Sequence, residues 1–362
     1  MKHVVIWAVA IRNWLWVPLA ERLKEETGAR IHFICNSDLD VKFYQRNDPA
    51  SVVDGYTSIG RFHDLYDVVE QDEENIVRLA RSNEARYGLL AADVLQSDRH
   101  LGRGYTPLGV GHPRSKLSEK ATYLKSLNFI NRAVRFWEDY LDERPADLVV
   151  GTAGGVVGLA CTMVARERGI PIRTLGWSRY KEYFYWSSDR FLSFPKLKAV
   201  FDGLNGEFPL DEDTYVQTKR THGAIWASRI YGLRSPINML RMMGRHVAIY
   251  AYRKVKKNVR VGNVLLSESL KLRWRTVRRM KELDRTAKPL AELAGKDYVY
   301  YPLHTEPETA LGILSPEFNE QLAAIELTAK NLPAGVRLAV KEHVFAIGRR
   351  PRGFFGLLAE IP

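Results

Sequence analysis

The sequence predicts an α/β fold: two Rossmann-like domains with parallel sheets, the C-terminal one truncated. Three observations predict it. The chain opens as strand, helix, strand. Near residue 147 a strand runs through a glycine turn into a helix and a further strand. Beyond residue 296 strand and helix alternate once more, and then the chain stops. With 362 residues and 46% hydrophobic composition, two cores are affordable.

The opening strand is the β-branched and apolar run His3–Ala10. Trp16, Leu19, Ala20 and Leu23 then fall at helical spacing, and Gly28 suits the end of that helix. Arg30–Cys35 is the second strand. The stretch MKHVVIWAVAIRNW imitates a signal peptide, but Arg12 and Asn13 interrupt it and its apolar core is too short for an h-region. The apolar runs also fall well short of the ~20 residues that span a bilayer. The two cysteines, Cys35 and Cys161, sit in apolar segments and cannot build a disulfide framework, so a reducing cytoplasmic compartment is expected.

A long helix is predicted over Ser118–Glu143, from Leu127, Ile130, Val134, Trp137 and Leu141, with Pro145 ending it. The clearest unit follows. Asp147–Val150 is a buried strand, Gly151–Gly155 a turn, Val156–Arg168 a helix and Ile172–Leu175 a strand. From Asp211 to about Leu293 the pattern is helical, with Leu266, Leu270, Trp274, Val277 and Met280 as one apolar stripe. Lys296–Leu303 is a strand, Phe318–Leu332 a helix and Val336–Lys341 a strand. Residues 1–232 are therefore read as the first domain, 233–295 as a basic helical segment and 296–362 as the start of the second domain. Roughly three or four further strands would complete a covered parallel sheet, so the second domain is expected to be incomplete.

Charge is uneven. Residues 229–288 hold 17 Lys/Arg against Glu268, Glu282 and Asp284, a net +14, whereas the whole chain carries +12. Any affinity for polyanions belongs to that segment. Residues 235–288 combine clustered cations with Tyr250, Tyr252 and Trp274, which suits an anionic membrane surface, with Arg273, Arg275, Arg278 and Arg279 as its contacts. A solvated helical hairpin is the plainer alternative.

Chemistry is expected where strands end, because the carboxyl ends of parallel strands open onto the ligand crevice. Two such ends carry polar clusters: His304, Thr305, Glu306 and Glu308 after one strand, Lys341, Glu342 and His343 after the next. Lys341 and His343 can neutralise a phosphate, and the carboxylates can orient a base or ribose. Loop polarity, with His304 capping a helix, is the alternative for either cluster alone. Gly151–Gly155, including Gly154 and Gly155, can present backbone N–H groups to an anion, although it is not GxGxxG and a tight turn explains it equally well. Asp98 and Arg99 pair a base or nucleophile with an anion clamp, against the alternative of a capped turn. Arg179 lies beyond a strand end, and Tyr183, Phe184, Tyr185 and Trp186 can stack on sugar rings or simply pack. No metal-ligand spacing is present except Asp211-Glu-Asp213, which reads better as a helix N-terminus.

The phrases "YPLHTEPETAL" and "PEFNEQLAAIELTAKNLPAGVRLAVKEHV", with "DLVVGTAGGVVGLACTMVARERGIPIRTLGWSR" before them, resemble the capsule and lipopolysaccharide polysaccharide biosynthesis family, which includes Kdo transferases. The resemblance implies a GT-B fold with a nucleotide-sugar cleft, the second domain taking the donor and the first the acceptor. In related transferases a His-Pro motif contacts the cytidine monophosphate part of the donor. The matching pair here is His343-Val344, with the histidine kept and the proline absent. A metal-independent glycosyltransferase needing no cofactor beyond a nucleotide-sugar donor, CMP-linked in those relatives, is the expected function. It would catalyse with Asp98 and His343 on a glycan or glycolipid acceptor, with Arg99, Gly154, Gly155 and Arg179 on the acceptor side and peripheral attachment to the inner membrane. A basic nucleic-acid-binding protein, or an inactive fragment of a transferase, is the alternative; no recognised nucleic-acid motif accompanies the charge.

Overall fold

The computed structural model describes residues 2–8, 13–48, 50–59, 72–98, 101, 113–115, 122–151, 154–177, 184–189, 193–204, 222–255, 264–305, 309–312 and 314–361. The chain is a mixed α/β protein that divides into two compact units, Met1–Val94 with Thr122–Lys219, and Leu95–Ala121 with Arg220–Pro362.

In chain order the first half runs β1 (His3–Ala8), α1 (Asn13–Thr27), β2 (Arg30–Cys35), α2 (Asp38–Arg46), β3 (Gly55–Ser58), α3 (Glu73–Tyr87), α4 (Ala91–Gln96), α5 (Tyr123–Glu143), β4 (Leu148–Gly151), α6 (Gly155–Glu167), β5 (Ile172–Trp177), β6 (Phe184–Ser187) and α7 (Pro195–Asp202). Six strands make one sheet in the order β3-β2-β1-β4-β5-β6, parallel throughout except for β6.

Strand alternation sorts the side chains of this sheet. Val4, Ile6 and Ala8 of β1, with Ile31, Phe33 and Cys35 of β2, face Trp16 and Ala20 of α1 and Tyr44 of α2. On the other face Trp7 meets Trp137 of α5, and Trp137 Nε1 donates to the Val157 carbonyl of α6 at 2.8 Å. Helices thus cover both faces, as a parallel sheet requires. Local signals set the helix ends. Gly28 closes α1 at φ +65°, where a side chain would be strained. The Ser37 side chain accepts from the Asp40 N–H and starts α2.

The aromatic run read as either stacking surface or packing is an antiparallel edge strand, β6, with Tyr183 outside the described residues. Tyr185 pairs with Gly176 of β5, where a Cβ would come within 2.2 Å of the tyrosine ring. The glycine therefore makes room for the aromatic. Both cysteines are buried. Burial, and then Asp40, push the Cys35 thiol up to about 12, and burial alone raises Cys161, so neither is an available nucleophile.

The second half runs α8 (His222–Tyr231), α9 (Pro236–Val255), α10 (Leu266–Thr286), β7 (Tyr298–Pro302), α11 (Thr309–Gly312), α12 (Gln321–Lys330), β8 (Arg337–Lys341) and α13 (Phe354–Glu360). Strands β7 and β8 form a two-stranded parallel sheet in which Tyr298 pairs with Arg337 and Pro302 with Lys341. Leu303, Ile325, Phe354 and Phe355 make the core beside it, and Tyr298, Val299 and Tyr300 are exposed. Ile230, Leu233, Met280 and Ile347 make a second core, to which Met239, Met242 and Val277 add. The basic helices thus have an ordinary apolar inner side. Trp274 departs from the stripe expected on α10. It is half exposed, and the Arg278 guanidinium lies 5.2 Å above its ring, while Thr276 takes the buried position instead. No helix among the described residues is long and apolar enough to cross a membrane.

Candidate functional site

The pairing of β7 with β8 extends one step past the strands, where the Leu303 N–H donates to the Lys341 carbonyl at 2.8 Å. That step brings His304 and Thr305 alongside Lys341, Glu342 and His343. Two polar clusters distant in sequence therefore share one end of one small sheet, the carboxyl end.

The loops are held by three side chains that lie outside both motifs. Gln321, the first residue of α12, pairs its amide with the His304 backbone. Its Oε1 accepts the His304 N–H at 2.6 Å, and its Nε2 donates to the His304 carbonyl at 3.1 Å. Arg350 Nη2 donates to the same carbonyl at 2.9 Å. Arg350 also clamps Glu342 bidentately, Nε to Oε2 at 2.8 Å and Nη2 to Oε1 at 3.1 Å, while its guanidinium stacks 4.5 Å from the Phe354 ring centre. Both side chains of this ion pair are almost fully buried, at 1% and 4% exposed. Arg349 Nη1 donates to the buried Thr305 hydroxyl at 3.0 Å. The pair of arginines after Gly348 is the signal of this anchoring in the sequence.

This geometry sorts the expected donor-site residues. Glu342 is no free carboxylate for a ribose. Arg350 takes both its oxygens, and one also accepts the His343 N–H at 2.6 Å. Thr305 likewise faces inward. Lys341 is exposed and His343 half-buried. His343 Nδ1 accepts the Phe345 N–H at 3.3 Å. In the neutral ring that bond leaves the proton on Nε2, making Nε2 a donor suited to an anion. Glu306 and Glu308 lie outside the described residues.

Segment 95–98 belongs to the same unit. Gln96 Oε1 accepts from Asn319 Nδ2 at 2.8 Å, and Gly312 packs so tightly that a Cβ there would lie 2.8 Å from the Gln96 carbonyl oxygen. Asp98 Oδ1 accepts the Leu101 N–H at 3.0 Å, which is the turn-capping role. Arg99 is outside the described residues.

In the first unit the strand order reverses between β1 and β4, the place where doubly wound sheets open a crevice. Gly151 ends β4 there, with no space for a Cβ, which would lie 2.6 Å from Trp7 Cβ. Gly154 is the N-cap of α6 without a capping side chain, and Gly155 follows at φ +68°. The first N–H groups of α6 have no capping side chain. Arg179 and Asp211–Asp213 lie outside the described residues. No group of three or more His, Cys, Asp or Glu among the described residues is placed to hold a metal ion.

No protein-family model matches the chain, and no curated protein sequence matches it. Among solved structures, it is similar to the UDP-GlcNAc 2-epimerase from Neisseria meningitidis bound to UDP-GlcNAc, at 8% identity, over 100% of this chain and 71% of that one. The TM-score is 0.25, too low to support an argument about function. The likeness to capsule and lipopolysaccharide biosynthesis proteins rests on the sequence motifs alone.

Proposed function

We propose that the protein is a glycosyltransferase of surface-polysaccharide biosynthesis, moving a sugar from a nucleotide-activated donor to a glycan or glycolipid acceptor. The donor nucleotide docks at the carboxyl ends of β7 and β8, and the acceptor at the β1–β4 reversal of the first unit. The observation that carries this reading is the juxtaposition of the His304–Thr305 and Lys341–His343 loops by strand register, with Arg350 and Gln321 fixing their backbones. Anchored loops that carry the exposed Lys341 ammonium suit a phosphate, whose charge grows as the bond from the anomeric carbon to the leaving phosphate oxygen breaks. The Lys341 ammonium and the His343 Nε2–H stabilise that leaving group, and positioning lowers the rest of the barrier. Asp98 is left to the turn it caps.

Calorimetric titration with cytidine and uridine nucleotides tests the reading. Binding of one of them, with an RNA oligonucleotide binding no better than any other polyanion, supports it. Lys341→Ala and His343→Ala should each weaken nucleotide binding by roughly ten- to a hundredfold, the worth of one charge-assisted hydrogen bond. No nucleotide binding, or binding indifferent to both variants, refutes it.

A further inference from the structure

We propose that the outward face of α9 is a membrane-docking surface that lies in the plane of an anionic bilayer. The helix has two apolar faces where a surface helix needs one. Its inner face carries Met239 and Met242, packed into the core with Met280, and His246, which accepts from Arg273 of α10 at 2.9 Å. Its opposite face is Ile237, Leu240, Gly244, Val247, Ala248, Ala251 and Val255, at spacings of three and four along 20 residues. Those side chains stand in solvent, Ile237 76%, Leu240 64%, Val247 45% and Val255 79% exposed. Arg241, Arg245 and Tyr252 border this stripe on one side and Lys254 on the other. The helix contains no acidic residue, and the eight residues next in sequence add three more cations and no acid.

Charge complementarity selects the occupant. A second copy of the same face would bring cations against cations. A nucleic acid would meet aliphatic side chains along the centre of the stripe, where it presents phosphate. An anionic bilayer takes both parts, the aliphatic stripe entering the acyl boundary and the bordering arginines resting among the headgroups. Three of the five arginines of α10 are engaged within the protein. Arg273 is bonded to His246, Arg275 lies 3.8 Å from Glu268, and Arg279 pairs with Glu282 and donates to the Arg350 carbonyl. The docking face therefore belongs to α9, not to the α10 cluster that the composition points to. This inference does not depend on the transferase reading, since vesicle binding and nucleotide binding are measured separately.

The test is vesicle flotation of the full chain with phosphatidylcholine vesicles, with and without phosphatidylglycerol, together with light scattering in solution. Binding to the anionic vesicles that weakens as salt rises is expected. Leu240→Ser with Val247→Ser should abolish flotation without moving the thermal midpoint, because both side chains are already in solvent. Arg241→Gln with Arg245→Gln should lower partitioning by roughly thirtyfold. Arg278→Gln, on α10, should leave it within about threefold, a bound set by one cation lying outside the stripe. The proposal is overturned by absence of binding to anionic vesicles, by equal binding to neutral ones, by flotation that survives Leu240→Ser with Val247→Ser, or by a dimer in solution that those substitutions dissociate.

Discussion

Gln321 answers both backbone polar groups of His304 with its own side-chain amide, as a neighbouring strand would. The residue sits 17 positions downstream, at the start of α12, and is buried. Its amide therefore continues the sheet past the point where β7 ends, and it fixes the turn that carries His304 and Thr305. The His304–Thr305 loop is shaped by a helix, not by its own sequence.

Gln321→Ala leaves the His304 N–H without that partner in a confined site. The expected cost is about 1–3 kcal/mol, the penalty for a buried polar group left unmade. Urea denaturation measures it. Nucleotide affinity should fall further than the stability loss alone explains. Gln321→Glu keeps the acceptor for the N–H but turns its second oxygen against the His304 carbonyl and buries a charge, so at neutral pH it should be at least as destabilising as Gln321→Ala.

Arg350→Met removes the cation from a buried, bidentate pair and strands the Glu342 carboxylate in a nearly dry site. A loss of about 3–5 kcal/mol is expected. Adding Glu342→Gln should restore part of it, because the uncompensated charge disappears. A double-mutant cycle by chemical denaturation reads this coupling; additive losses would count against a direct pair.

Much of this was legible from residues alone. Arg30–Cys35 is an apolar and β-branched run that begins just after Gly28, so its strand could be read to the residue. The glycine turn before α6 and the two polar strand ends were equally plain. What escaped was the long-range pairing that holds them. Arg350 and Gln321 belong to the site only because tertiary packing folds their elements onto β7 and β8, and no local period marks that. Glu342 stands next to a histidine and so looks functional in the sequence, while the structure pairs it with Arg350, eight residues on, across a turn that no local period marks. The strand β6 was missed because four aromatics in a row carry no alternation, and only the facing Gly176 explains their place.

Gly348 packs against α10 closely enough that a Cβ would lie 2.0 Å from Thr276 Oγ1 and 3.0 Å from Thr276 Cα. The first contact can be relieved by a side-chain change, the second only by moving the helix. Gly348→Ala should therefore destabilise the second unit by about 1–3 kcal/mol, the usual cost of overpacking. Thr276→Ala in the same chain should recover part of the loss, since it removes the nearer atom. Thermal denaturation of the single and double variants tests the order.

The first unit should lose stability in mild acid through His32. This imidazole lies on β2, edge-on to the His3 and Tyr140 rings, with Nε2 2.9 Å from Thr57 Oγ1. Burial first, then the Arg144 guanidinium and His3, hold its pKa down to about 4, against an ordinary 6.5. In the unfolded chain the ring takes up a proton as pH falls through 6.5, while the folded protein refuses it until about 4. The unfolded state thus binds more protons throughout that window, so stability declines as pH drops from 6.5 to about 4 and this contribution levels off below. Urea midpoints measured at intervals from pH 7.5 to 4 should fall more steeply for the wild type than for His32→Gln, whose side chain does not titrate. Parallel profiles for the two proteins would show that His32 is not the group responsible.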